Sequence, residues 1–213
     1  MRLLPFYVRW ARDRYRWAKR WAEFKYWYLA ALIQQDRIKG LGLAIKRKFN
    51  DPWIADVVVQ KRPVFGPDVS TRRSVYWEAP VAVVIFRHDK TGSHAALCMS
   101  LYVIGDVIYI KQLQGIASTH IPAAIRDWPR LLVEACQDFA VAQNYRQVRI
   151  AQASSMPHFQ MAGLSADTPA AGEKIRAGIQ SRMLAHYDGT AKTLGFVEAG
   201  RWFIWPNPKY RPQ

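Results

Sequence analysis

Gln112, Gln114 and Gly115 close the apolar run Ile108-Tyr109-Ile110, about a dozen residues before a helix start at Asp127-Trp128-Pro129-Arg130. A strand that ends in a polar glycine turn and leads to a helix brings turn amides and helix N-terminal N–H groups toward one spot. That arrangement suits the binding of a phosphate or a carbonyl oxygen. Arg126 and Arg130 would add positive charge beside it; the plain alternative is a structural turn with two surface arginines. His158 and His120 are the histidines nearest this junction, on polar loops where an imidazole can act as a general base near neutral pH. A solvated loop side chain is the alternative for each. His186-Tyr187-Asp188 offers a phenol and a carboxylate, against the reading that the tyrosine packs and its neighbours are solvated. The catalytic candidates are therefore His158, Tyr187 and Asp188. No Ser-His-Asp or Cys-His pattern is readable, because Cys136 falls on the apolar face of a helix, where a thiol is inert.

The elements that would position these groups follow from periodicity. Val81 to Phe86 is a continuous apolar run, Ala95 to Ile104 a second strand, and Gly105-Asp106 a tight turn into Val107 to Leu113. Three strands on short turns predict an antiparallel meander. Asp127 is a candidate N-cap whose carboxylate would accept the Arg130 N–H, and Pro129 suits the first turn of a helix. Leu132, Ala135, Cys136, Phe139 and Gln143 share one face of that helix, and Asn144 would end it. Val148 to Ala151 would return as a strand parallel to the third. Residues 173–194 read as helical, closed by Gly195, with a final hairpin from Phe196-Val197 through Arg201 to Trp205. Leu132, Phe139 and Ile150 are expected to share a core with Val83 and Ile85.

The chain has 213 residues and a net charge of +15, unevenly distributed. Residues 1–50 carry thirteen Lys and Arg against three Asp and Glu, and the remainder eighteen against thirteen. Between Phe6 and Ile33 the aromatics Trp10, Trp17, Trp21, Phe24 and Tyr28 form one helical stripe interleaved with cations. Arg9, Arg12, Arg16, Lys19 and Arg20 are the polyanion-binding candidates of this arm. Its acidic partner would be nucleic acid or an anionic membrane surface; a helix packed on the core with a solvated basic face is the alternative. Residues 51–75, with Asp51-Pro52, Arg62-Pro63 and Gly66-Pro67, read as a connecting segment, and 76–213 as the α/β core. No apolar run approaches the roughly 18–20 residues of a membrane span, and the N-terminus lacks the pattern of a secretory signal. Cys98 and Cys136 lie inside apolar patterns without metal-ligand spacing, so buried thiols in a reducing compartment and no metal are expected. The expected location is cytoplasmic, or peripheral to a membrane.

The order meander, glycine turn, helix, strand, helix and hairpin is similar to the GNAT superfamily of N-acyltransferases. In that fold a Gln/Arg-x-x-Gly-x-Gly/Ala loop holds the coenzyme A pyrophosphate through backbone amides, and Gln112-Leu113-Gln114-Gly115-Ile116-Ala117 matches the spacing. The resemblance implies a GNAT-like mixed sheet, acetyl-CoA or a longer acyl-CoA as cofactor, and Gln112, Gln114, Gly115, Ala117, Arg126 and Arg130 as its contacts. Two departures stand out: Ser118 to Arg126 intervene before the helix, and Ala191 occupies the position where the superfamily carries a tyrosine acid. Residues 76–206 also resemble the VirK/YbjX family of bacterial proteins, through Tyr109-Ile110, Leu113-Gln114-Gly115, Pro129-Arg130-Leu131-Leu132, His158, Tyr187-Asp188 and Leu194-Gly195-Phe196. The resulting expectation is an acyl-CoA-dependent N-acyltransferase. Its alternative is a non-catalytic basic protein on the same scaffold that binds nucleic acid or an anionic membrane.

Overall fold

The computed structural model describes residues 29, 32–34, 36–49, 53–59, 79, 81–89, 92–115, 125–160, 162 and 168–212. Its aliphatic runs form strands β1 (Trp53–Val59), β2 (Val81–Asp89), β3 (Gly92–Ile104), β4 (Val107–Gly115), β5 (Gln147–Ala151), β6 (Val197–Ala199) and β7 (Trp202–Pro206). They make one mixed sheet in the order β1-β2-β3-β4-β5-β7-β6. Only β4 and β5 are parallel; every other pair is antiparallel. The meander of β2, β3 and β4 is as the sequence predicts. At its second turn Gly105 takes a φ of +57, a left-handed conformation that costs glycine least, and a Cβ there would meet nothing within 4 Å. The preference for glycine at that position is thus conformational and not one of space.

The helices are α1 (Leu41–Lys46), α2 (Trp128–Ala142), α3 (Pro157–Gln160), α4 (Pro169–Leu184) and α5 (Thr190–Thr193). A π-helical turn, Ala185–Gly189, joins α4 to α5. Helix α2 carries the chain from β4 to β5 and lays Trp128, Leu132, Ala135, Cys136 and Phe139 in the buried core. These are one stripe at helical spacing. From the sheet, Leu97, Met99, Leu101, Ile108, Ile110, Leu113, Val148, Ile150 and Phe203 belong to the same core, and Cys136 Sγ lies 3.8 Å from Met99 Sδ. Leu132, Phe139 and Ile150 therefore share one core, as predicted; the side chains of Val83 and Ile85 lie outside the described set. Two residues after α2, Asn144 takes a φ of +56 as a terminator should. Gly195 closes α5 in the left-handed region, with Phe196 N–H donating to Ala191 O at 3.0 Å.

Three local expectations are corrected. Trp53–Val59, inside the predicted connecting segment 51–75, is the first strand of the sheet, pairing with β2 from Trp53↔Arg87 to Val59↔Val81. Gly40, at a φ of +92, separates the helical residues before it from helix α1, and Leu41, Ile45 and Phe49 join the core because their spacing presents one apolar face to α2. Asp127 makes no side-chain cap; its carboxylate instead pairs with the Arg130 guanidinium, the stronger charge-assisted partner. Gly115 is the last residue of β4, paired with Leu97, and not part of a turn. Residues 1–28, which include Arg9, Arg12, Arg16, Lys19 and Arg20, lie outside the described set, as do Ala117 and His120.

Candidate functional site

Strand β4 outruns its parallel neighbour. Pairing between them covers Val107↔Gln147 to Ile110↔Ile150, and β5 ends at Ala151, whereas β4 continues to Gly115. At the point of parting the β3–β4 register shifts: Leu101 faces Ile110, yet Ser100 faces Gln112, leaving Lys111 as the extra residue of a β-bulge. A bulge bends its strand and reverses the alternation of side chains beyond it. Ile108 and Ile110 are thus followed on the core side by Leu113, while Gln112 and Gln114 take the opposite face. There Gln112 Nε2 donates to Gln114 Oε1 at 2.7 Å.

The crevice beyond the carboxyl ends of two diverging parallel strands is where open α/β sheets bind ligands. Here the π-helical turn borders it, a rare kind of turn that is frequent at functional sites. Three consecutive side chains of that turn reach three different elements. Tyr187, only 3% exposed, accepts a hydrogen bond from Leu113 N–H on β4 at 2.8 Å. Asp188 Oδ1 accepts from Ala153 N–H, just past β5, at 3.0 Å. His186 meets the first residue of α2, Trp128, edge to face with ring centroids 5.0 Å apart. Burial holds the His186 imidazole below its ordinary range, and the nearby Arg182 charge pushes the same way. Because Leu113 N–H is directed at Tyr187, it points away from β3. Alternation along the strand sends Gly115 N–H the same way, while Gln112 and Gln114 direct their backbone groups to β3.

The other candidates are distributed less favourably for chemistry. Arg126 is exposed. Arg130 is held by Asp127 and by Glu134, the latter at 2.8 Å, and those partners raise its pKa. Lys48 joins the same cluster through Asp138 at 2.9 Å and Glu134 at 3.7 Å. His158 is exposed on the four-residue α3, and no hydrogen bond or ring contact among the described residues joins it to Tyr187 or Asp188. The thiols of Cys98 and Cys136 are buried and pushed up to about 12, as inert core cysteines should be. Among the described residues no cluster of three or more His, Cys, Asp and Glu is placed to hold a metal, and no helix is long and apolar enough to cross a membrane.

Sequence reasoning missed two features. Ser100 Oγ, opposite Gln112, is buried without a hydrogen-bond partner among the described residues. Tyr109, Lys111, Arg149 and Trp202 form a cation–aromatic cluster on the sheet face opposite α2. Alternation along β4 and β5 could have grouped the first three, but nothing local announces that β7 lies beside β5. No protein-family model matches the chain, and no curated protein matches it.

Proposed function

We propose that this protein is an acyl-CoA-dependent N-acyltransferase on a GNAT-like scaffold, with residues 76–206 akin to the VirK/YbjX family. The observation that carries the reading is the parting of β4 from β5 at the Lys111 bulge, with the Tyr187 phenol set into the opening against Leu113 N–H. A thioester threaded there would lay its carbonyl beyond Leu113, near the backbone donor of Gly115 on the open side of β4. Such a donor stabilises the oxyanion that forms when an amine attacks. In that step the N–C bond forms, the C–S bond breaks, the amine loses a proton to water and the departing thiolate takes one. Tyr187 is the candidate acid for the thiolate. It lies four residues before Ala191, one helical turn from the position where the superfamily carries its tyrosine. Asp188 acts here as a positioning residue that ties the π turn to the end of β5. Arg126 is the available pyrophosphate cation, since Arg130 is already neutralised by two carboxylates.

The experiment is a thermal-shift screen of the full chain against acetyl-CoA, longer acyl-CoAs and free CoA. A rise in melting temperature that saturates with CoA supports the reading. No shift with any of them across pH 6–8 removes it.

A second reading has its own support. Leu113 N–H is already paired with Tyr187, so it offers a thioester no free donor, and the first 50 residues carry a balance of +10. In this reading the scaffold is non-catalytic and the N-terminal arm, through Arg9, Arg12, Arg16, Lys19 and Arg20, binds nucleic acid or an anionic membrane. Binding to anionic vesicles or to duplex nucleic acid that weakens steeply with salt, and disappears when residues 1–34 are removed, would favour it.

A further inference from the structure

The sheet face opposite α2 carries a second set of interacting side chains. Tyr102 and Tyr109, partners across β3 and β4, stack with centroids 4.8 Å apart and rings 6° from parallel. Trp202 meets Tyr109 edge to face at 5.2 Å. Lys111 Nζ lies 5.1 Å from the centre of the Trp202 ring, and the Arg149 guanidinium 5.4 Å from that of Tyr109. Register explains the grouping: Tyr109 pairs with Arg149 across β4 and β5, and the Lys111 bulge turns its side chain toward Trp202. All five side chains are half-buried, in contrast to the fully buried residues around them.

Charge is one-sided here. Cross-strand partners share a face, so from β3 through β7 this surface carries Lys111 and Arg149. Glu198, the sole carboxylate among the described residues of β4 to β7, pairs with Phe203 and so belongs to the other face. Cations over aromatic rings with no acid alongside among the described residues suit a ligand that is both anionic and rich in flat faces. Bases stack on the rings, and phosphates draw the long Lys111 and Arg149 side chains off the ring faces that those bases take. We propose that this face, from Tyr102 to Trp202, is a stacking platform for single-stranded nucleic acid. The proposal is independent of the acyl-transfer reading, because it uses the opposite face from the Tyr187 crevice.

The test is fluorescence anisotropy of the full chain with a labelled octauridylate, a duplex RNA of equal length, and uridine monophosphate as competitor. The single strand should bind more tightly than the duplex, and the mononucleotide should compete poorly. Trp202→Ala and Tyr109→Leu keep the net charge of +15, so attraction by the basic N-terminal segment is unchanged. Each variant should nevertheless weaken octauridylate binding roughly 5- to 100-fold, the range for loss of one base–aromatic stack. Tyr109→Phe, which keeps the ring, should bind as the parent does. Cross-linking of a 4-thiouridine octamer to the parent chain supplies a readout that needs no variant, and adducts should map to Tyr109 or Trp202. The proposal is overturned by parent-like binding of the folded alanine and leucine variants, by equal affinity for duplex, by a mononucleotide that competes as well as the octamer, or by adducts confined to other segments.

Discussion

Tyr187 and Leu113 stand 74 positions apart, and the phenol oxygen of one accepts the backbone N–H of the other at 2.8 Å inside the core. That bond ties the π-helical turn to β4 where the strand runs on past β5.

Removing the phenol oxygen should leave a buried backbone donor without its partner. Tyr187→Phe is therefore expected to lower stability by about 1–3 kcal/mol, the desolvation cost of such a group, measured by urea denaturation. If the chain transfers acyl groups, the same variant should reduce kcat more than it raises KM, as expected when a proton donor to the leaving group is lost.

Gln34 acts on β3 as a neighbouring strand would. Its Nε2 donates to Val103 O at 2.9 Å and its Oε1 accepts from Val103 N–H at 2.7 Å, with only 6% of the residue exposed. Strand β2 starts opposite Leu101, so it supplies no backbone partner to Val103. Gln34→Leu keeps the bulk but abandons both backbone groups, and should cost on the order of 2–4 kcal/mol by chemical denaturation. An unchanged denaturation midpoint would mean that water replaces the amide without penalty.

His186 should make stability depend on pH. Its folded-state pKa lies below the ordinary value, chiefly through burial beside Trp128 and secondarily through Arg182. The unfolded chain then binds the proton more readily, so stability is full above the unfolded pKa near 6.5 and falls as pH drops toward the folded value. Melting temperature should decline between pH 7 and pH 5, and His186→Gln should flatten that part of the profile.

Cys98 and Cys136, with thiols pushed up to about 12 by burial, should resist modification in the native chain. An aromatic disulfide reagent at pH 8 is expected to label neither on the time scale of minutes, and to label both promptly in denaturant. Rapid native labelling of either would show that the α2–sheet core opens locally.

Much of the framework was legible residue by residue. Apolar runs and turn residues located β2, β3, β4 and the closing hairpin, helical spacing located α2, and Asn144 and Gly195 marked the ends of their helices. Burial of both cysteines followed from the apolar patterns around them. These are short-range properties, in which a few neighbours decide the conformation of a segment. The candidate site was legible only in part. Tyr187 packs in the core against Leu113, the alternative weighed for it, and Asp188 bonds Ala153 N–H. His158 is exposed on a short helix without a bond to either, Arg130 is taken by its own helix, and Gly115 is the last residue of a strand. What decided these outcomes is the pairing of distant segments. A bulge exists only relative to a partner strand, so Lys111 alone gives no sign that the alternation of β4 reverses there. The placement of β7 between β5 and β6 brings Trp202 to Tyr109, and the parting of β4 from β5 turns Leu113 N–H toward Tyr187. Each of these depends on contacts between residues far apart in the chain, whose joint burial, and not any local preference, selects one register from several.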